Sequence, residues 1–582
     1  MMHLNLLHRP SPGPNYPLYR RQQELAHGVG LKVTIFLHYQ DLFDPAAVRD
    51  ALRDREEFGD EIALAFHSPR GPGLSVPNGM IWLLSDAKKR EVMQIILSKF
   101  REVFGRGPAS VGSYHLDASC LRILKELAPE VEAVVGGCFE EGVRVFHGCN
   151  HSWYLFNEGM PWNPWYPSKT HALRPAASEE DAGGVVAVPH LLRDMSLAYE
   201  GRNDFWASHP PNVIRGMGND ASFCPYDLNL IDQFRMQEEW NGGYSYYNSF
   251  VSVPWLTWNH NSEYPPEVAW ELYTKFLDYL RSLKAQGQVE DMTLSEYARW
   301  HKKNRPIGTS EVYLAKEMLY GSGKHYFWYI DAGRRVLIDP TQGGSIGDLR
   351  PYAGRLALST GPDTPNRENG SYPFLIQSQH RTGNSHHSSD GARTTLLLSH
   401  GGEVIDLAKI RTKVAGIERQ SGKTIMTLTP AEFAFSDGLK GSVVTRYHFI
   451  QDGAIGIERT LAGLSDPTAE LTLTEYFKAA YGRTEYPEDL HGIRLGIDGA
   501  DAREVDYDYS GDRHESSGAT CVTAAVPQIK TRVELVAENG RATSGACQVG
   551  HLFSPYFTLS LNYSVKNEER IVTWMTLSNL SS

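Results

Sequence analysis

The chain has 582 residues, too many for one hydrophobic core, so two or three domains are expected. A formal charge of -12 with no Lys/Arg-rich run argues against a nucleic-acid partner. Aromatic content of 11% beside 22% charged residues marks a folded globular chain, and no run approaches the ~18 apolar residues of a membrane span.

Met1 to Tyr19 carries four prolines and no apolar segment of signal-peptide length. A soluble, cytoplasmic protein is expected unless a leader has been removed. The six cysteines (Cys120, Cys138, Cys149, Cys224, Cys521, Cys547) are scattered without a CxxC pair and are read as mostly reduced.

In chain order, Leu31 to His38 is a nearly continuous apolar run of strand length, as in a sheet buried on both faces, and it ends at His38 with Asp41 just beyond. A helix is expected over Pro45 to Glu57, and a second strand, Glu61 to Phe66, ends on His67. A third apolar run, Met80 to Leu84, leads into a long helix with Asp86 as its candidate N-cap. Val111 to Ser113 then closes a strand, and Asp117 opens a helix in which Leu121, Leu124 and Leu127 recur at helical spacing. His115 and Asp117 therefore sit where a strand hands over to a helix, the edge that carries active sites in barrels of alternating strands and helices.

After a strand at Val131 to Val135 comes a loop dense in aromatics and acids, including Trp153, Glu158, Trp162 and Trp165. Exposed aromatic faces beside carboxylates suit a sugar cleft, since pyranose rings stack on them. Gly184 to Pro189 is a further strand ending on His190, with Asp194 one turn on. Val213 to Arg215 precedes Asp220, and a helix is expected near Leu228 to Trp240. Ser249 to Leu256 runs into Trp258 and His260, and a helix starting at Pro265-Pro266 follows.

From about Asn304 the pattern turns to alternating strands. Phe327 to Asp331 and Arg335 to Asp339 read as a hairpin, Gly361 to Arg393 as a polar linker, and the remainder as strands, with Gln451-Asp452-Gly453 turning a second hairpin. The expected architecture is α/β: a (β/α)7-8 barrel over residues 1–305, a connecting region over 306–392, and an antiparallel β-sandwich over 393–582.

The segments FLHYQD (Phe36 to Asp41), VGSYHLDASCLRILKEL (Val111 to Leu127) and MTLSEYARW (Met292 to Trp300) resemble those of the glycoside hydrolase/deacetylase barrel superfamily. This superfamily includes NodB-type polysaccharide deacetylases and glycoside hydrolase families 57 and 38; the closer likeness is to a bacterial family within it, for which a fold carries over but no assigned chemistry. The resemblance spans the barrel half. A NodB-type deacetylase would carry an Asp-Asp pair after the first strand and an HxxxH pair after the second. Here the first strand offers His38 and Asp41, and His67 has no partner four residues on.

Glycoside cleavage needs one carboxylic acid to protonate the leaving oxygen and a second carboxylate as nucleophile or base. The acids at expected strand ends are Asp41, Asp117, Glu140, Glu141, Glu158, Asp194, Asp220 and Glu263. Asp117 is the leading catalytic candidate, with Glu158, Asp220 or Asp194 as partner, although a helix N-cap accounts for Asp117 equally simply. His115, Trp153, Trp162, Trp165, Trp258 and His260 are the candidate substrate-binding residues, and core packing is the competing account of the tryptophans. His38, Asp41, His67 and His190 could hold a divalent metal such as zinc, a cofactor whose presence the residues leave open.

The expected function is hydrolysis of glycosidic bonds in an oligo- or polysaccharide. The alternatives are metal-dependent deacetylation of an acetylated saccharide and carbohydrate binding without catalysis. A carbohydrate substrate is the expected partner, with no nucleic acid or membrane; self-association is left open.

Overall fold

The computed structural model describes residues 1–10, 15–67, 69–76, 81, 84–139, 161–200, 224–253, 256, 266–318, 320–352, 375–377, 392–480, 493–506, 511–551 and 555–580. Its N-terminal half is built on β1 (Met2–Arg9), α1 (Tyr16–Gly28), β2 (Val33–His38), α2 (Pro45–Phe58), β3 (Glu61–Ala65), α3 (Asp86–Phe104), β4 (Ser110–Leu116), α4 (Ala118–Leu127), β5 (Ala133–Phe139), β6 (Val186–Pro189), α5 (Met195–Tyr199), α6 (Cys224–Arg235), β7 (Ser245–Ser252), α7 (Pro266–Ala285), β8 (Val289–Asp291) and α8 (Leu294–Asn304). The strands lie in the order β6-β5-β4-β3-β2-β1-β7, with β8 beside β1, and every pairing is parallel. Burial on both faces explains their near-continuous apolar runs, such as Val33 to Leu37 and Ile62 to Ala65.

Among the described residues the sheet curls into a half-barrel without closing, because its edge strands β6 and β7 share no backbone pairing there; the expected strand at Val213 to Arg215 lies outside the described residues. Side chains bridge the seam instead. The Asn248 amide donates to the Pro189 carbonyl at 2.5 Å, and the His190 ring lies 4.2 Å from that of Phe250.

The N-terminus differs most from the sequence reading. The segment to which the sequence reading assigned no element contributes β1, a central strand flanked by β2 and β7. Three polar residues interrupt its apolar pattern, and two of them are satisfied inside. Asn5 donates to the Met292 carbonyl at 2.8 Å and accepts from the Tyr246 hydroxyl at 2.8 Å. His8 bonds the Tyr273 hydroxyl at 2.7 Å and the Gln23 side chain. Two smaller corrections concern α3. Of the expected third strand, Met80, Trp82 and Leu83 lie outside the described residues, and Leu84 N–H donates to Ile81 O at 3.0 Å, a bond that an extended strand does not make. The N-cap is Ser85, whose hydroxyl accepts from Lys88 N–H, so Asp86 is the first helical residue.

Next comes a five-stranded antiparallel sheet, formed by Glu311–Lys316, His325–Ile330, Arg334–Asp339, Ser345–Pro351 and Ile376–Gln377. Strand alternation splits its faces. Tyr313, Ala315, Tyr326, Trp328 and Ile330 join the half-barrel core, while Val312, Phe327 and Tyr329 join the core of the C-terminal half. The expected hairpin lies here, as strands His325–Ile330 and Arg334–Asp339.

The C-terminal half holds a six-stranded and a ten-stranded antiparallel sheet. Leu396, Leu398 and Leu473 of the first share one core with Met426, Tyr447 and Ile457 of the second, a sandwich-like arrangement. The hairpin at Asp452 joins Lys440–Ile450 to Ile455–Ala462, with Asp452 left-handed at φ 53°.

Candidate functional site

Parallel strands end on a common edge, where loops can assemble a site on a rigid base. Here β1 ends at Arg9, β2 at His38, β3 just before His67, β4 just before Asp117, and β6 just before His190. Phe250, near the end of β7, lies among them. Its ring sits 5.9 Å from that of Phe36 and 5.9 Å from the Arg9 guanidinium carbon.

After His38 the chain makes a single 3-10 turn, Tyr39–Phe43, which folds Asp41 back over the strand end. The Asp41 carboxylate accepts from the His38 backbone N–H at 2.8 Å, and the residue is only 2% exposed. Burial pushes its carboxyl up to about 7, against the lowering pull of that hydrogen bond and of Arg9. Asp41 is therefore poised to hold or release a proton near neutrality.

His38 is held in the opposite sense. Burial, with the Arg9 charge, lowers it to about 3, so its ring is neutral. Nδ1 lies 3.1 Å from the His67 carbonyl, which can only accept. Nδ1 therefore carries the proton, and Nε2 is left as an acceptor. The His38 and His67 rings meet edge-on at 5.9 Å.

Asp117 is the N-cap of α4. Its carboxylate accepts from Cys120 N–H at 2.7 Å and from the Ser119 hydroxyl at 3.0 Å, and it pairs with Lys89 Nζ at 2.6 Å. Asp194 likewise heads α5, taking Ser196 N–H and Leu197 N–H at 2.9 Å each and the Ser196 hydroxyl at 2.6 Å. Both carboxylates lie at strand ends, as expected, and both are engaged in starting helices.

Trp162 and Trp165, expected in a cleft, are 1% and 4% exposed. Trp165 donates its indole N–H to Ala172 O at 3.1 Å, meets Phe139 edge-on at 5.0 Å, and is pinned to β6 through backbone bonds with Ala187. Trp162 packs against Trp328 of the five-stranded sheet at 5.3 Å. The asparagines and prolines around them suggested exposure, but the indoles fill the junction between the two sheets.

Glu158, Asp220, Trp153, Trp258 and His260 lie outside the described residues, as does the side chain of His115. His190 is buried against Phe250. Of the expected metal set, His38, Asp41 and His67 are brought together. Among the described residues, however, no group of three or more His, Cys, Asp or Glu is arranged to hold a metal ion. The sequence reading missed Arg9 and Phe250. The signal for Arg9 was present in the apolar positions Met2, Leu4, Leu6 and Leu7.

The fold and site define a mixed α/β protein, with a parallel half-barrel whose carboxyl edge gathers Arg9, His38, Asp41 and His67, joined to a sheet-rich C-terminal half. No family model matches the chain, and no curated protein matches it either. Among solved structures, it is similar to a 4-alpha-glucanotransferase from Thermococcus litoralis, at 9% identity and a TM-score of 0.30 over 99% of both chains. A galactose mutarotase-like protein from Clostridium acetobutylicum overlaps 46% of this chain and 99% of its own, at 10% identity and a TM-score of 0.32. An alpha-N-acetylgalactosaminidase from Bifidobacterium bifidum overlaps 44% of this chain and 36% of its own, at 9% identity and a TM-score of 0.28. Among the described residues, no helix is long and apolar enough to cross a membrane.

Proposed function

We propose that the chain is a carbohydrate-active hydrolase that cleaves glycosidic bonds at the carboxyl edge of the half-barrel, with Asp41 as the general acid. The observation that carries this reading is the Asp41 carboxyl folded back over the end of β2, 2% exposed and accepting from the His38 N–H at 2.8 Å, where burial pushes it up to about 7. A glycosidase acid must be protonated at working pH and still able to give up its proton, and burial of a carboxyl is the usual physical means. In the reaction, the Asp41 proton passes to the leaving glycosidic oxygen. Arg9 favours the carboxylate left behind, since its charge already pulls the Asp41 proton affinity down. His38, neutral with Nε2 as acceptor, is suited to receive a sugar hydroxyl. The second carboxylate is proposed to be Glu158 or Asp220, on the sequence grounds given above. Asp117 and Asp194, which start helices, hold the frame.

Release of reducing sugar from a panel of unactivated oligosaccharides tests this. Asp41→Asn should lower turnover about 100-fold or more, with a chelator having no effect. Undiminished turnover in Asp41→Asn would overturn the assignment, and acetate release abolished by a chelator would favour deacetylation instead.

A further inference from the structure

The face of the five-stranded sheet that meets the half-barrel carries a cluster that the proposed chemistry does not use. Arg335 and Arg350 lie directly opposite each other on paired strands and are 1% and 3% exposed. Both Nε atoms reach Asp348, Arg335 at 3.4 Å and Arg350 at 3.0 Å. Two indoles flank the Arg335 guanidinium, whose carbon lies 4.9 Å from the Trp328 ring centroid and 6.0 Å from that of Trp162. Tyr352 is on the same face and 5% exposed. Burial raises its hydroxyl, and the charges of Arg335 and Arg350 pull it back.

Three polar atoms in this cluster are buried with no hydrogen-bond partner among the described residues: the indole nitrogens of Trp162 and Trp328 and the hydroxyl of Tyr352. An indole N–H can only donate. Native cores pair almost all such groups, and an orphan among them calls for a bound water or ion. Three orphans around guanidinium charge are an unusual concentration, and what they lack is an acceptor, preferably a negative one.

We propose that Trp162, Trp328 and Tyr352, beside Arg335, form a buried binding site for a small inorganic anion of the halide class. The site joins the half-barrel to the five-stranded sheet, since Trp162 comes from the first and the other three residues from the second. A bound anion would fix the orientation of the two, and it would do so whatever substrate the carboxyl edge takes. The three donors are buried, Trp162 at 1%, Trp328 at 2% and Tyr352 at 5% exposure, which favours a monatomic ion over a substrate carboxylate.

The test is thermal unfolding of the full chain, exchanged into sodium gluconate and titrated with chloride or bromide at constant ionic strength. The expected result is a halide-specific rise of a few degrees in the unfolding midpoint that saturates with concentration. Trp328→Phe and Tyr352→Phe keep the rings and remove the donors, and each should weaken the apparent halide affinity at least tenfold. Crystals soaked in bromide should show an anomalous peak between the two indole nitrogens. The proposal is overturned by equal midpoints in gluconate and halide, or by an unchanged halide response in both variants. It is also overturned if glucuronate raises the midpoint and halides do not. Should the variants fail to fold, the wild-type titration and the bromide peak still decide.

Discussion

Lys89 on α3 places its ammonium 2.6 Å from the Asp117 carboxylate at the head of α4. Lys89 is 4% exposed, so the pair is a nearly buried ion bridge that also caps a helix. Asp117→Ala removes the cap and the nearest carboxylate of Lys89, leaving its ammonium the Ser119 hydroxyl at 2.5 Å and Asp86 at 3.9 Å. The expected loss is about 2–4 kcal/mol in urea unfolding. Asp117→Asn keeps a capping acceptor and should recover the cap's share, not the charge's. Equal stability of Asp117→Ala and the wild type would refute a structural role for this carboxylate.

One side chain hydrogen-bonds across the seam of the half-barrel among the described residues. Asn248, fully buried, donates to Pro189 O at 2.5 Å across the gap between β6 and β7. Asn248→Ala should cost about 2 kcal/mol, and Asn248→Asp, which cannot donate, at least as much. Amide exchange in β6 should quicken in both variants; protection unchanged from the wild type would show that the seam is held by something else.

Asp41 makes stability depend on pH in an uncommon direction. Its folded value, about 7, lies above the ordinary 3.8, so its contribution is fully present below about pH 4 and fades as pH rises through 7. Asp41→Asn mimics the protonated form. It should match the wild type only below about pH 4, exceed it by on the order of 1–2 kcal/mol at pH 5, and exceed it by about 4 kcal/mol at pH 8.5. A variant less stable than the wild type at pH 8.5 would contradict the assignment.

Buried histidines set the acid limit. Burial lowers His3 and His8 to about 4 and His38 and His301 to about 3. Each is a base depressed in the folded state, so the stability it contributes is intact above its unfolded value near 6.5. That stability is lost as pH falls through 4 and then 3. Urea midpoints should therefore drop between pH 6.5 and 4, with net proton uptake on unfolding. Midpoints that stay level over that range would show that these rings are already charged in the fold.

Much of this fold is legible in the chain. Buried parallel strands announce themselves as apolar runs, and β2, β3 and β6 fall within a few residues of where those runs lie. Strand β1 escapes because His3, Asn5 and His8 break its run, and their partners come from elements as distant as Tyr246, Tyr273 and Met292. Barrel closure is a property of the β6–β7 edge, which no local pattern reports. At the site, His38, Asp41 and His67 follow from their strand ends. The neutral-pH carboxyl of Asp41 does not, since burial arises only from tertiary packing. Trp162 and Trp165 show the converse, because polar neighbours in sequence do not prevent an indole from filling a junction.

The central claim is that Asp41 delivers a proton to a glycosidic oxygen, and the dependence of Asp41→Asn on the leaving group tests it most directly. Turnover of nitrophenyl glycosides, whose leaving groups need little protonation, should change less than tenfold in Asp41→Asn. Turnover of the corresponding oligosaccharides should fall about 100-fold or more, with loss of the alkaline limb of the pH profile near 7. Equal losses on both substrate types, or an alkaline limb that persists in the variant, would contradict the account.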